Sequence, residues 1–119
     1  MGTQEKVAIV NRYIEGVSSQ DMNAIREIFD EQATVEDPIG TEPHVGMEAV
    51  CKFYEGAFSA GVTLKSAGSI RCAGNAAAFP FIARTPSMEI EVIDIFEFNE
   101  NGKVMSMRAY WGPENCTPV

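Results

Sequence analysis

The segment from Ser87 to Phe98 carries a carboxylic acid where hydrophobic residues belong. With strand alternation, one face presents Met88, Ile90, Val92, Asp94, Phe96 and Phe98. Asp94 is the sole polar residue of that face. An ionised carboxylate there costs several kcal/mol, about enough to keep the group protonated instead. A protonated carboxyl in an apolar wall is a hydrogen-bond donor. The plain alternative is an Asp satisfied by nearby backbone or by an Arg. Three further polar groups point the same way. Asp37 shares a strand face with Ala33 and Val35, just before Pro38, and Tyr13 and Tyr54 each fall on the apolar stripe of a helix. Singly, each has a structural reading: a turn former before proline, or a core tyrosine with its hydroxyl at a rim. Together they imply a pocket with two carboxyls and a phenol in apolar walls. An acid at a loop edge can serve as an ionised general base, and one in an apolar wall as a neutral donor to developing negative charge. That division of roles suits proton transfer.

The elements that must position these groups change character along the chain. Val7, Val10, Ile14 and Val17 recur at helical spacing from Thr3 to Val17, with Tyr13 on the stripe. Asp21 is an N-cap candidate for a second helix with Met22, Ile25 and Phe29 on its apolar face. Gln32 to Asp37 alternates as a strand, and DPIGTEPHVG is a Pro/Gly-rich loop. A third helix carries Met47, Val50, Cys51, Tyr54 and Phe58. After Gly61 the period falls to two. Strands are expected at Val62–Ala67, Ser69–Ala73, Ala76–Thr85, Ser87–Phe98 and Lys103–Trp111. Helices first and strands afterwards predict an α+β fold, with helices on one face of a curved sheet.

Composition narrows the function classes. The chain has 119 residues, which predicts one domain over 1–119 with about two thirds of its unfolded surface buried. Seventeen acidic against nine basic residues give a charge of −8, without the basic stripe that nucleic acids or anionic membranes demand. Three widely spaced cysteines without a CxxC read as free thiols of a cytoplasmic protein. A single histidine, His44, with no ligand cluster around it, argues against a metal site. No apolar run approaches the roughly 18 residues of a membrane span.

The segments RYIEGV, ATVEDPIG, KFYEG, EVIDIFEFNENGKV and MRAYW, in this order and spacing, resemble ketosteroid isomerase (steroid Δ-isomerase) of the NTF2-like superfamily over nearly the whole chain. The same family illustrates how an apolar site keeps a carboxylic acid neutral. The resemblance implies a cone-shaped NTF2-like fold, three helices on a curved mixed or antiparallel sheet, and a homodimer without cofactor. It implies isomerisation of 3-oxo-Δ5-steroids to conjugated 3-oxo-Δ4-steroids through a dienolate. Asp37 is then the base, Tyr13 and protonated Asp94 the oxyanion donors, and Tyr54 a donor to Tyr13. Val17, Phe81, Ile90, Val92, Met107 and Trp111 are expected to contact the substrate.

Two features depart from the family pattern. Phe29 stands where a third tyrosine is common, so the hydroxyl chain should stop at Tyr54. The hairpin between Phe81 and Met88 is short. A steroid-sized cavity of at least roughly 300 Å³ is expected, and the core volume it removes favours a dimer, with Ile93 and Ile95 at the candidate interface. A cis bond between Asp37 and Pro38 is expected from the turn and from the resemblance. The rival readings are another enzyme of this fold (a hydratase, epoxide hydrolase or cyclase) and a noncatalytic module that binds apolar ligands.

Overall fold

A computed structural model describes residues 1–119. Helix α1 spans Thr3–Ser18 and buries Lys6, Val10, Tyr13 and Val17, successive steps of four, three and four along one side. Val7 and Ile14 flank that stripe half-buried. The Lys6 ammonium donates to the carbonyl of Gly74 at 2.8 Å, so its charge is satisfied as its stem is buried.

Helix α2 spans Met22–Ile28, and the Asp21 carboxylate accepts the Ala24 N–H at its start. The helix stops one residue before Phe29, which is extended and opens strand β1, Phe29–Glu36. Phe29 stays in the core nonetheless, because helix end and strand start place it over the same aromatic rings. The strand therefore begins three residues before the expected Gln32.

Strand β2 (His44–Val45) pairs with β1 and leads into α3, Met47–Ser59, which buries Val50, Cys51 and Tyr54. The remaining strands are β3 (Thr63–Ser66), β4 (Arg71–Ala73), β5 (Ala76–Arg84), β6 (Met88–Phe98), β7 (Val104–Tyr110) and β8 (Cys116–Pro118). β2 and β8 are too short to leave a periodic pattern in the sequence.

The sheet runs β2–β1–β7–β6–β5–β3, with β4 on β5 and β8 on β6. Every pair is antiparallel except β1 with β7, which is parallel. The sheet is thus mixed, and the long stretch of chain between β1 and β7 is the crossover that a parallel pair needs.

Helix α1 lies over β3 and β5 and helix α3 over β1 and β2, so both cover one face of the sheet. On β6 the inward residues Val92, Asp94, Phe96 and Phe98 are buried, whereas Ile93 on the other face is 49% exposed. Tyr13, Phe29, Tyr54, Phe79 and Phe96 form a nest of mostly edge-on rings, with Tyr13 and Phe96 centred 5.0 Å apart. This nest is the floor on which the site is built. The Asp37–Pro38 bond is cis.

Candidate active site

A cavity of about 200 Å³ opens between α1, α3 and the inner face of β3, β5 and β6. It is smaller than the roughly 300 Å³ expected from a steroid-sized ligand, and Phe53, Phe81 and Trp111 are among its large lining side chains. Of the residues singled out in the sequence, Tyr13, Asp37, Tyr54 and Asp94 all reach this one cavity, together with Val17, Phe81, Ile90, Val92 and Trp111. Met107 does not. It is 1% exposed and pairs across β6–β7 with Phe96, sealed in the core. Its side chain is sealed because its neighbour across the strands, Phe96, belongs to the aromatic nest. Phe79 is likewise core, 6.1 Å from Tyr13 ring to ring.

Asp94 sits in the middle of β6, flanked by Phe79 on β5 and Ala109 on β7. It is fully buried, and neither carboxyl oxygen has a hydrogen-bond partner within the protein. Burial pushes its pKa well above the usual carboxylate range, and the negative charge of Asp37 pushes it the same way. No cation and no backbone N–H offsets this. An unpartnered acid of this kind is stable only with its proton on, and it then has an O–H to offer.

Asp37 lives in a different setting. It is one residue beyond β1, half-buried, and its Oδ1 accepts the indole N–H of Trp111 at 2.7 Å. Burial raises its pKa, and the Trp111 hydrogen bond and the nearby His44 offset only part of that rise. These residues lie 74 positions apart. The parallel pairing of β1 with β7 brings them together, since Glu36 stands opposite Arg108 and both strands leave the sheet at the same end. The Ile39 N–H donates to the Ala109 carbonyl at 2.8 Å and ties the loop there.

The Tyr13 and Tyr54 hydroxyls lie 2.8 Å apart, and either can donate. Both are fully buried, which raises both pKa values well above the ordinary phenol range and keeps the pair neutral. Phe29 lies 5.8 Å from Tyr54, ring to ring, and adds no hydroxyl, so the chain of hydroxyls ends at Tyr54. The site thus holds one half-buried acid with opposed influences on its pKa, one buried acid held neutral, and a phenol pair, in a wall that is otherwise hydrocarbon. No three His, Cys, Asp or Glu side chains converge as a metal centre would require.

Five lining residues escaped the sequence reading: Phe53, Ala57, Val62, Leu64 and Ala83. Phe53 and Ala57 are one turn apart on α3, on the edge of the stripe that Val50 and Tyr54 define, and this spacing could have found them. Leu64 and Ala83 face each other across β3–β5, a pairing that depends on register and is not legible locally. The role of Trp111 as donor to Asp37, beyond that of a wall, was equally hidden.

The comparisons with known proteins agree with this architecture. A family model described as "SnoaL-like domain" matches residues 10–107. A steroid Δ-isomerase of Nocardioides simplex is 33% identical over 113 residues, covering 92% of this chain and 91% of that protein. Among solved structures, the epoxide hydrolase/cyclase-like enzyme SalBIII, linked to pyran ring formation in the polyether salinomycin, superposes with a TM-score of 0.91. It is 29% identical, over 98% of this chain and 97% of that one. The chain therefore belongs to the SnoaL-like family of NTF2-like α+β proteins, in which it resembles a steroid Δ-isomerase.

Proposed function

We propose that this protein isomerises 3-oxo-Δ5-steroids to conjugated 3-oxo-Δ4-steroids. The observation that carries the reading is Asp94: a buried acid without a partner, on the wall of an apolar cavity that also holds an ionisable carboxylate. In this mechanism the substrate ketone lies against Tyr13 and Asp94. Asp37 takes a proton from the carbon between carbonyl and alkene, and a dienolate forms. Its oxyanion receives hydrogen bonds from the Tyr13 hydroxyl and the Asp94 carboxyl, while Tyr54 donates to Tyr13. Asp37 then returns the proton two carbons further on. One base performs both transfers, so no second ionised group is required. The indole of Trp111 keeps the Asp37 carboxylate aimed and ionised between them.

Mixing the pure protein with androst-5-ene-3,17-dione and following ultraviolet absorbance tests this. New enone absorbance at a rate proportional to protein concentration is expected. Binding without a new chromophore would leave a ligand-binding module.

A second reading has one observation in its favour: the likeness to an epoxide hydrolase/cyclase-like enzyme is close in fold and covers the same length. Asp94 would then give its proton to an epoxide oxygen while Asp37 activates an attacking hydroxyl. The reactions separate at Asp94→Asn, because an amide can hydrogen-bond to an oxyanion but cannot protonate an alkoxide leaving group.

The protein is further proposed to act in the cytoplasm as a homodimer. Pro80, Ile93 and Tyr110 form one cross-strand row on the outer sheet face, and Ile93 and Tyr110 are 49% and 44% exposed. Sedimentation at micromolar concentration is expected to give twice the chain mass of 13.0 kDa.

A further inference from the structure

The cavity has a direction. Along β6 its inner wall runs Asp94, Val92, Ile90, and opposite them on β5 stand Phe79, Phe81 and Ala83. Asp94 is fully buried, Val92 is buried, and Ile90 and Ala83 are half-buried, so the Ala83–Ile90 row is the mouth. Leu64 on β3 completes that row from the other side of Ala83. At about 3.4 Å per residue the row lies about 14 Å from Asp94. A four-ring skeleton spans about 10 Å as a zigzag of bonds of about 1.5 Å. A hydrogen bond of about 2.7 Å to Asp94 brings its far ring level with this row.

The volume leads to the same place. About 200 Å³ is below the roughly 300–1,000 Å³ that encloses most of a drug-sized ligand, so the far ring and anything attached to it must emerge. On β5 the inward side chains shrink from two phenylalanines to one alanine where this happens. Three of the four polar lining groups, Tyr13, Tyr54 and Asp94, are buried at the closed end, and Asp37 is half-buried beyond the end of β1. Hydrocarbon forms the mouth row, which selects by shape alone.

Resting on the isomerase reading, we infer that Ala83 is the specificity-determining residue of the mouth. Its short side chain, between Leu64 and Ile90, leaves the gap through which a hydrocarbon chain on the far ring passes. Steroids with and without such a chain are both substrates.

The test compares androst-5-en-3-one, which is bare at the far ring, with cholest-5-en-3-one, which carries a branched alkyl chain there. Wild type is expected to convert both, with kcat/KM values within about tenfold. Ala83→Leu, its folding checked by circular dichroism, should lose less on the bare steroid than on the side-chain steroid, so that the ratio of the two kcat/KM values rises at least about tenfold. On the side-chain steroid it should lose at least about tenfold, through KM rather than kcat. Ala83→Gly widens the same gap and should leave the ratio of the two kcat/KM values near that of wild type. Equal losses on the two substrates, no loss on either, or a wild type that converts only the bare steroid would overturn the inference. Should wild type convert neither, the isomerase reading itself fails, and the role of Ala83 falls with it.

Discussion

The two ends of the polar cluster hold the same side chain in opposite conditions. Asp94 stands in the middle of a central strand, with Phe79 and Ala109 beside it and nothing to accept or donate to either oxygen. Asp37 hangs off the end of β1, half-exposed, with an indole N–H on one oxygen. Burial raises both pKa values, but at Asp37 two influences work against the rise and at Asp94 none does. Strand interior against strand end thus leaves the upward push of burial unopposed at one aspartate and opposed at the other. What matters is where a β-strand stops.

The sharpest way to break the contrast is to remove the base. Asp37→Asn keeps the shape and the Trp111 contact but has no basicity, and kcat should fall about 10²–10⁴-fold with steroid affinity nearly unchanged. Stopped-flow enone formation beside equilibrium binding measures the two separately. Most of the activity surviving would mean that another group takes the proton.

At the other end, Asp94→Ala removes one oxyanion donor and should cost about 10²–10³-fold, with Asp94→Asn losing less because its amide still donates. Equal, full activity in both would reduce Asp94 to a structural acid. The sign of its pKa shift gives an independent check. The folded state holds this proton more tightly than the unfolded chain. The stability it contributes is complete below the ordinary carboxylate range and is lost as pH rises through the raised folded value. Thermal melts from about pH 4 to about pH 9 should therefore show Asp94→Asn gaining on wild type as pH rises. A constant difference would mean that Asp94 ionises normally.

This contrast was partly legible in the sequence. Asp94 betrays itself because period-two alternation places it among Val92, Phe96 and Phe98, a conflict visible in one strand. The helical stripes of Tyr13 and Tyr54 are equally local. The Asp37–Trp111 hydrogen bond is not, because it depends on a parallel pairing between the first strand and the seventh, which no local pattern encodes. Met107 shows the same limit from the other side. Alternation tells that it points inward, but not whether inward means cavity or core. That depends on which rings fill the space above it, here Phe96 and its neighbours.

Trp111→Phe probes the Asp37 end more gently. The indole donates to the ionised carboxylate, so losing it raises the Asp37 pKa further. The base must be ionised to act, and activity rises as pH passes through that value. The acid limb of kcat/KM should thus move to higher pH. On that limb the loss should be about tenfold, and well above it the rate should nearly recover. A uniform loss at all pH values would mean that Trp111 serves as a wall for the substrate and does not tune the base.

The smallest effect is expected at Tyr54, which touches the chemistry only through Tyr13. Its hydroxyl has one protein partner, the Tyr13 hydroxyl at 2.8 Å, because Phe29 supplies a ring and no oxygen. While Tyr13 donates to the oxyanion, its own oxygen must accept from Tyr54, and each bond polarises the other. Tyr54→Phe removes that support but keeps the ring that packs on Phe53. A neutral hydrogen bond is worth about 0.5–1.5 kcal/mol net, so kcat should fall about threefold to tenfold with KM little changed. Tyr13→Phe should cost far more, and the double variant no more than Tyr13→Phe alone, since Tyr54 then has nothing to support. Additive losses would show that Tyr54 reaches the oxyanion by itself, and the closed end would then hold three donors rather than two.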